Sequence, residues 1–412
     1  LRHTLFPYTT LFRSALTRRG DGPRPSAGDI TLVAIFRNEL DYALEWLAYH
    51  RSVGFRSFII GDNNSDDGTS ELLEALHECG VIERRHAPDA IGTPTQVAFY
   101  NAVVETLRAG PDRLLGFIDA DEFVMAASPG RVADRVAALF RAPDVGAVGV
   151  NWKIYGSSGF VRDGVGPVLL RFAGHADRSF EKNRFIKSFA RLSCIRRMDV
   201  HNALLDSGRY VDGSGAPLEL EQAGWRHRTR DVNWSNLFVG HYIVKSRQEH
   251  ERNKARKGSA TRGARIRKGA GYVRAHDRND RCRVQPEGLL RRMFSEQQAL
   301  LLRLRSGSPY FLPCRGTARI DRSRREITGW VAVPAPLSDG LRIIMRSPHH
   351  ERVMPAEAQG LRRSGGGSSS EHRYGFRLSL AGFERCPAED LELRAYGSCA
   401  RLTVEEDRAP PA

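Results

Sequence analysis

The sequence predicts an α/β protein built on a doubly wound, mostly parallel sheet, followed by a small all-β sandwich. Three observations predict this architecture. Short apolar runs alternate with helical patterns in the first part of the chain, and each run ends in a polar cluster. From Thr317 onward helical periods give way to brief alternating runs between turn-forming residues.

The first run, Ile30–Phe36 (ITLVAIF), is apolar on successive residues, as a strand covered on both faces requires, and closes in Arg37, Asn38 and Glu39. Leu40, Leu44 and Leu47, with Tyr42, Trp46 and Tyr49, then fall at helical spacings. Residues 58–61 (FIIG) repeat the strand pattern before Asp62-Asn63-Asn64-Ser65-Asp66-Asp67-Gly68-Thr69, and residues 70–77 begin another helix. A third run starts at Leu114 and ends abruptly in Asp119, Asp121 and Glu122. In a doubly wound sheet ligands bind outside the carboxyl ends of the strands, and Asn38, Asp62 and Asp119 all fall there.

Asp119 and Asp121 are one residue apart, so at a frayed strand end both carboxylates can bend towards one hard cation. Mg²⁺ or Mn²⁺ suits that geometry, because such cations prefer oxygen ligands and keep positions open for phosphate oxygens. The structural alternative is an acidic turn or a helix start with acids in its first turn.

These clusters together resemble GT-A glycosyltransferases of a family-two-like branch, over residues 29–260. The residues that carry the resemblance are Asn38-Glu39, Glu45-Trp46 with His50 and Gly54, Asp62-Asn63 with Ser65 and Asp67-Gly68-Thr69, and Asp119-Ala120-Asp121-Glu122-Phe123. The resemblance implies a GT-A nucleotide-diphospho-sugar transferase fold and a nucleoside-diphosphate-sugar donor. It places Asn38, Asp62, Asn64 and Asp67 at the nucleotide. Asp121 binds the metal in this reading, with Asp119 nearer the ribose or sharing the metal. A late histidine, His201 or His241, would complete the metal site, and Lys187 or Lys245 would meet phosphate. Glu39 and His50 also have structural readings, as a helix-start carboxylate and a packing histidine.

The resemblance does not supply the catalytic base. Glu122, Asp163, Glu181 and Asp206 are candidates by residue type. Glu181 ranks first because Arg178, Lys182 and Arg184 surround it and keep it ionised. Glu122 comes next because it adjoins the metal motif.

Thr4–Ser14 resembles one reading frame of a sequencing-library adapter, so residues 1–28 are set aside as that run plus a disordered lead-in. Residues 261–316 read as a basic segment and an amphipathic helix carrying Leu289, Leu290, Met293, Phe294, Leu300, Leu301 and Leu304. Residues 317–405 read as the β-sandwich and 406–412 as a tail. Ile327-Thr328-Gly329-Trp330 and Tyr374-Gly375-Phe376 resemble motifs of small β-domains attached to bacterial cell-surface glycosyltransferases, so Trp330 is either core or a sugar platform.

The formal net charge is +15, and residues 245–283 hold fourteen Lys or Arg against four Asp or Glu. That run contains one aromatic residue, Tyr272, so it lacks the stacking platform of a single-strand binder, and nucleic acid is not the expected partner. Contact with an anionic membrane surface is the next option. No apolar run is long enough to span a bilayer, and six scattered cysteines without a secretion signal point to a cytoplasmic enzyme, peripheral at most to the membrane's inner face. The expected partners are the sugar donor and a glycan or other hydroxyl acceptor. The rival readings are a non-catalytic nucleotide- or glycan-binding subunit and a basic nucleic-acid binder.

Overall fold

The computed structural model describes residues 30–164, 166–221, 227–254, 268–307, 315–333, 342–347, 351–355, 359–363, 372–395 and 402–406. The adapter-like run, the lead-in, residues 255–267 of the basic segment, the run 365–370 and the tail beyond 406 lie outside these residues.

Nine strands form one sheet: β1 (Ile30–Phe36), β2 (Ser57–Asp62), β3 (Glu83–His86), β4 (Leu114–Phe117), β5 (Glu122–Ala126), β6 (Val145–Ile154), β7 (Ile186–Arg191), β8 (Arg209–Asp212) and β9 (Leu237–His241). Their order is β3-β2-β1-β4-β7-β6-β9-β5, and β8 pairs with the first half of β6. The first four strands run parallel, and β7 is antiparallel to both β4 and β6. The strand β9 is parallel to β6, whereas β5 is antiparallel to β9. Strand order reverses between β1 and β4, so the sheet has its switch point where Asn38 and Asp119 emerge.

Both faces of the sheet are covered, which is why β1 is apolar without alternation. Leu32, Ala34 and Phe36 share a core with helices α1 (Leu40–Ser52) and α2 (Thr69–Glu78). Val33 points the other way, into a core with Phe99, Tyr100 and Val103 of α3 (Thr95–Leu107). Helix α4 (Val132–Leu139) follows β5, and the predicted amphipathic helix is α5 (Glu287–Gly307), which buries Met293, Leu300 and Leu304 in the same core as α1.

The E-W-x-x-x-H pattern of α1 ties this buried helix to the rest of the domain. The Glu45 carboxylate accepts the backbone N–H groups of Val168 and Leu169 at 2.8 and 3.0 Å. Trp46 Nε1 donates to the carbonyl of Asp119 at 3.0 Å. His50 Nδ1 lies 2.9 Å from the Trp46 carbonyl while Nε2 accepts from Val124 N at 3.3 Å, so one ring nitrogen donates and the other accepts. His50 is therefore a satisfied, neutral core histidine. Gly54, at φ 112°, takes the left-handed conformation that closes the helix.

Two further sheets follow: β10 (Arg315–Asp321), β11 (Glu326–Val333), β14 (Gln359–Arg363), β15 (His372–Ser379) and β17 (Thr403–Glu406) form one, and β12 (Arg342–Arg346), β13 (Glu351–Pro355) and β16 (Glu392–Ala395) form the other. Ile320, Ile327, Val331, Phe376 and Leu378 from the first share a core with Ile343, Met345 and Leu393 from the second. Trp330 is half-buried on β11.

Several cations of the basic segment pair with acids of the protein itself, one of them buried. Arg252 bridges Asp41 and Asp163 at 3.0 and 2.6 Å, and Arg278 and Arg281 pair with Asp280 and Asp177, both at 3.0 Å. Among the described residues no helix is long and apolar enough to cross a membrane.

Burial holds the His50 imidazole down to about 3 from an ordinary 6.5. Burial likewise lowers His201 and His227. The unfolded chain takes up a proton on each of these rings near pH 6.5 and the folded chain does not. Stability therefore falls as pH drops below about 6.5, at up to roughly 1.4 kcal/mol per pH unit for each ring. Denaturant midpoints measured between neutral pH and pH 4 will show this slope, and His50→Gln will flatten it; an unchanged slope would refute the core assignment.

Candidate functional site

The residues Ile118 to Asp121 form a turn that joins two strands lying far apart in the sheet, β4 and β5. Its backbone is fixed from several directions. Asp119 N donates to Glu122 Oε2 at 2.9 Å, Glu122 N donates to the Asp119 carbonyl at 3.1 Å, and Tyr242 N donates to the Asp121 carbonyl at 2.9 Å. The acidic-turn reading of the sequence is correct for the backbone, with a strand and not a helix on its far side.

Lys187 is the cation that makes this concentration of acid tenable. The short chain of β7 sits between β4 and β6, and its Lys187 side chain is 0% exposed. Its ammonium donates to Asp119 Oδ1 at 2.6 Å and to the Val200 carbonyl at 3.2 Å, and lies 3.5 Å from Glu122 Oε2. Burial opposes this charge, but Asp119 and Glu122 outweigh burial and hold the ammonium well above its ordinary pKa. Gln96 Nε2 and Tyr100 OH, both on α3, donate to the same Asp119 oxygen at 2.5 and 3.3 Å. Sequence patterns gave no signal for Gln96 or Tyr100, because α3 reaches the turn only through the tertiary fold.

The pairing of β9 with β5 places His241 directly opposite Glu122. His241 Nε2 lies 3.4 Å from Asp121 Oδ2, and Nδ1 lies 3.8 Å from Glu122 Oε1. The Trp152 ring packs edge-on against His241 at 4.3 Å and against His201 at 5.1 Å, and His201 stacks on His227 at 4.7 Å. Of the two histidines proposed from sequence, His241 meets the acid turn, while His201 sits behind Trp152 in an aromatic wall.

Glu122 is fully buried, and burial together with Asp119 raises its carboxyl pKa well above the ordinary value despite Lys187. No acceptor can reach a group with 0% exposure. Its placement suits it to orient His241 and brace the turn, as outer carboxylates do for metal-binding histidines.

Among the described residues, Glu122 Oε1, Trp152 Nε1 and His201 Nδ1 in this region are buried without a hydrogen-bond partner. Buried polar atoms are normally satisfied, so these mark the region as a candidate for binding a polar ligand. Among the described residues no group of three or more His, Cys, Asp or Glu is placed to hold a metal ion by itself. The Asp121–His241 pair offers two donors. With one of the two an imidazole nitrogen, a divalent ion held here would depend on other ligands, such as substrate phosphates, for the rest of its shell.

The nucleotide residues inferred from sequence gather around the 62–69 turn. Asp62 is buried; Ser70 Oγ and Arg84 Nη2 donate to its Oδ2 at 2.5 and 2.8 Å. Burial opposes its charge, but these donors and Ser65 hold its pKa below the ordinary value. Asn38, at φ 54°, exchanges two hydrogen bonds with Asp66, at 2.7 and 2.9 Å. Asn64 faces His86 at 3.1 Å on the exposed rim. Asp67 is buried, and its two oxygens accept Leu40 N at 3.2 Å and Thr69 N at 2.9 Å, capping the starts of both α1 and α2. Asp67 thus ties the starts of two helices together.

The remaining candidates have partners of their own. Glu181 is exposed in a short 3₁₀ turn just before β7, paired with Arg228; that hydrogen bond and charge lower its pKa. Lys245 stacks its ammonium 3.6 Å from the Tyr42 ring centre, and Asp163 belongs to the Arg252 ion pair. Asp206 lies 3.8 Å from Arg196 at the surface.

No family model matches the chain. Curated plant proteins named glycosyltransferase family 92 do resemble parts of it. A Ricinus communis protein is 24% identical over 230 residues, 55% of this chain and 40% of that protein. An Oryza sativa subsp. japonica protein is 25% identical over 136 residues, 33% of this chain and 23% of its own length. An Arabidopsis thaliana protein is 32% identical over 96 residues, covering 23% and 16% of the two chains. The chain spans at most two fifths of these relatives, and they support a glycosyltransferase family at a distance.

Replacing Lys187 by Met leaves Asp119 and Glu122 without their buried counter-charge, and will cost about 3–5 kcal/mol of stability. The loss will be smaller at about pH 5 than at about pH 8, because protonation of the already raised Glu122 removes one of the charges. Urea unfolding at both pH values checks this; a loss below about 0.5 kcal/mol would show that Lys187 does not anchor the turn.

Proposed function

We propose that this chain transfers a sugar from a nucleoside-diphosphate-sugar donor to a hydroxyl acceptor, for glycan or surface polysaccharide assembly, with inversion at the anomeric carbon. The observation that carries the reading is the acid turn at the sheet's switch point, where Asp121 and His241 meet beside three buried polar atoms without partners. The distant resemblance to proteins named glycosyltransferase family 92 supports it independently.

In this reading the base and ribose lie along the 62–69 turn, with Asp62, Asn38 and Asn64 at the wall that Asp67 holds in shape. Asp121 and His241, with Asp119 alongside, would hold Mn²⁺ or Mg²⁺, which would neutralise charge on the diphosphate. Lys187 holds the Asp119 carboxylate in place. Glu122 holds His241 in orientation without touching substrate. Glu181 is the candidate base that is both ionised and open to an acceptor. It takes the acceptor hydroxyl proton as the oxygen attacks the anomeric carbon and the bond to the nucleoside diphosphate breaks.

Nucleotide release from UDP-, GDP- and dTDP-sugars, with and without Mn²⁺, tests the donor half. One donor will give metal-dependent release, and Asp121→Ala will lower kcat by about two to three orders of magnitude. Metal-dependent donor binding without release, seen as a thermal shift, would favour a non-catalytic binder; no binding to any donor would refute the reading.

The acceptor half is tested by Glu181→Gln. It will lower transfer by about 10²–10⁴-fold while leaving the donor-induced thermal shift in place. Undiminished transfer would remove Glu181 as the base.

A further inference from the structure

A large cleft lies away from the acid turn. Helix α1 starts beside Asp67 at the acid edge and ends at the cleft with Arg51 and Ser52, about 20 Å further along its axis. The strand β5 runs the same way, from Glu122 to Ala126, which lines the cleft. The opening therefore sits at the opposite edge of the sheet, between the end of α1, the 126–132 connection and the first turns of α5. Its volume is about 1250 Å³, ample for a ligand the size of a nucleotide or larger.

The lining is strongly and asymmetrically charged. Arg51, Arg56, Arg131, Arg283, Arg291 and Arg292 face it, and Glu296 is the single carboxylate among the lining residues. Glu296 is shared by Arg51 and Arg56, each at 2.9 Å. Two acids at the rim compensate further: Asp134 lies 3.7 Å from Arg131, and Glu287 lies 2.6 Å from Arg291. With these counted, six guanidinium groups still face three carboxylates.

Two other features add to this field. Helices α4 and α5 both begin at the cleft, and Arg131 at the cap position of α4 provides no side-chain acceptor, although Ala133 N donates to the Val53 carbonyl at 3.2 Å. Helix starts carry partial positive charge. Arg283 Nε is buried without a hydrogen-bond partner, although its Nη2 donates to the Ala126 carbonyl at 3.3 Å. An excess of guanidinium forks, two helix starts and an unsatisfied buried N–H converge on one kind of ligand. Phosphate groups match these forks in shape and charge.

We propose that this cleft is a second binding site, for a ligand carrying clustered phosphate groups, separate from the donor site. The acid turn presents three carboxyls to one ammonium and repels such a ligand directly, whereas the arginine cleft attracts it without a cation.

The test uses the full chain carrying Asp121→Ala, so that the donor site is silenced, with inositol hexakisphosphate and with phosphatidylcholine vesicles containing phosphatidylglycerol as the two probes. Calorimetry will show one-to-one binding of inositol hexakisphosphate, sedimentation will report vesicle binding, and Arg56→Gln with Arg292→Gln will weaken whichever occurs tenfold or more. Arg196→Gln with Arg197→Gln, on a different surface, will not weaken it, which separates a built site from the overall positive charge. Binding to the soluble probe supports a free phosphate ligand. Binding to vesicles alone, lost with the same two arginines, supports a lipid headgroup. Binding to neither probe, or binding insensitive to Arg56 and Arg292, overturns the proposal.

Discussion

The buried ammonium of Lys187 is the interaction on which the rest of this site depends. Without it, Asp119 and Glu122 would be two carboxylates without a counter-charge at the edge of a sheet covered on both faces, and burial with Asp119 beside it already pushes Glu122 towards protonation. With it, Asp119 is held by three donors, Glu122 is locked into the turn, and Asp121 is left to face His241. A buried charge pair is seldom a net source of stability relative to an apolar pair of the same size. Its persistence here fits a task of orientation, since an apolar replacement could not hold a carboxylate turn in one geometry.

The same logic links the two parts of the chain. Asp41, in the first turn of α1, receives Arg252 at 3.0 Å and Arg394 of β16 at 2.8 Å. Arg252 and Arg394 are both nearly fully buried, so this is a closed network of charges and not a surface decoration. It joins the helix whose Trp46 holds the acid turn to a strand of the C-terminal sheets.

Much of the fold was legible because it is written locally. The runs at Ile30–Phe36 and Leu114–Phe117 need only two covered faces to be read as buried strands, and the acids after each follow from topology. What escaped was non-local. RFIKSFAR alternates polar and apolar residues, so Lys187 read as one side of an amphipathic strand; because β7 is central and covered on both sides, its alternate residues are buried as well. His201 and His241 could not be ranked, since only the register of β9 against β5 brings one of them opposite Glu122. Asp67 looked like a pocket residue because the N–H it caps, that of Leu40, lies 27 positions away in sequence.

The two edges of the sheet carry opposite electrostatic characters, and this bears on how each would select a ligand. At the acid edge, three carboxyls and one ammonium make a diphosphate unwelcome unless a cation comes with it. In the proposed function, the donor's diphosphate and its cation would have to arrive there together. At the far edge the excess of arginine imposes no such condition, and phosphate binding would be limited mainly by salt. A chain of net charge +15 that concentrates acid at one place keeps that place distinct from the generic attraction the rest of its surface exerts on anions.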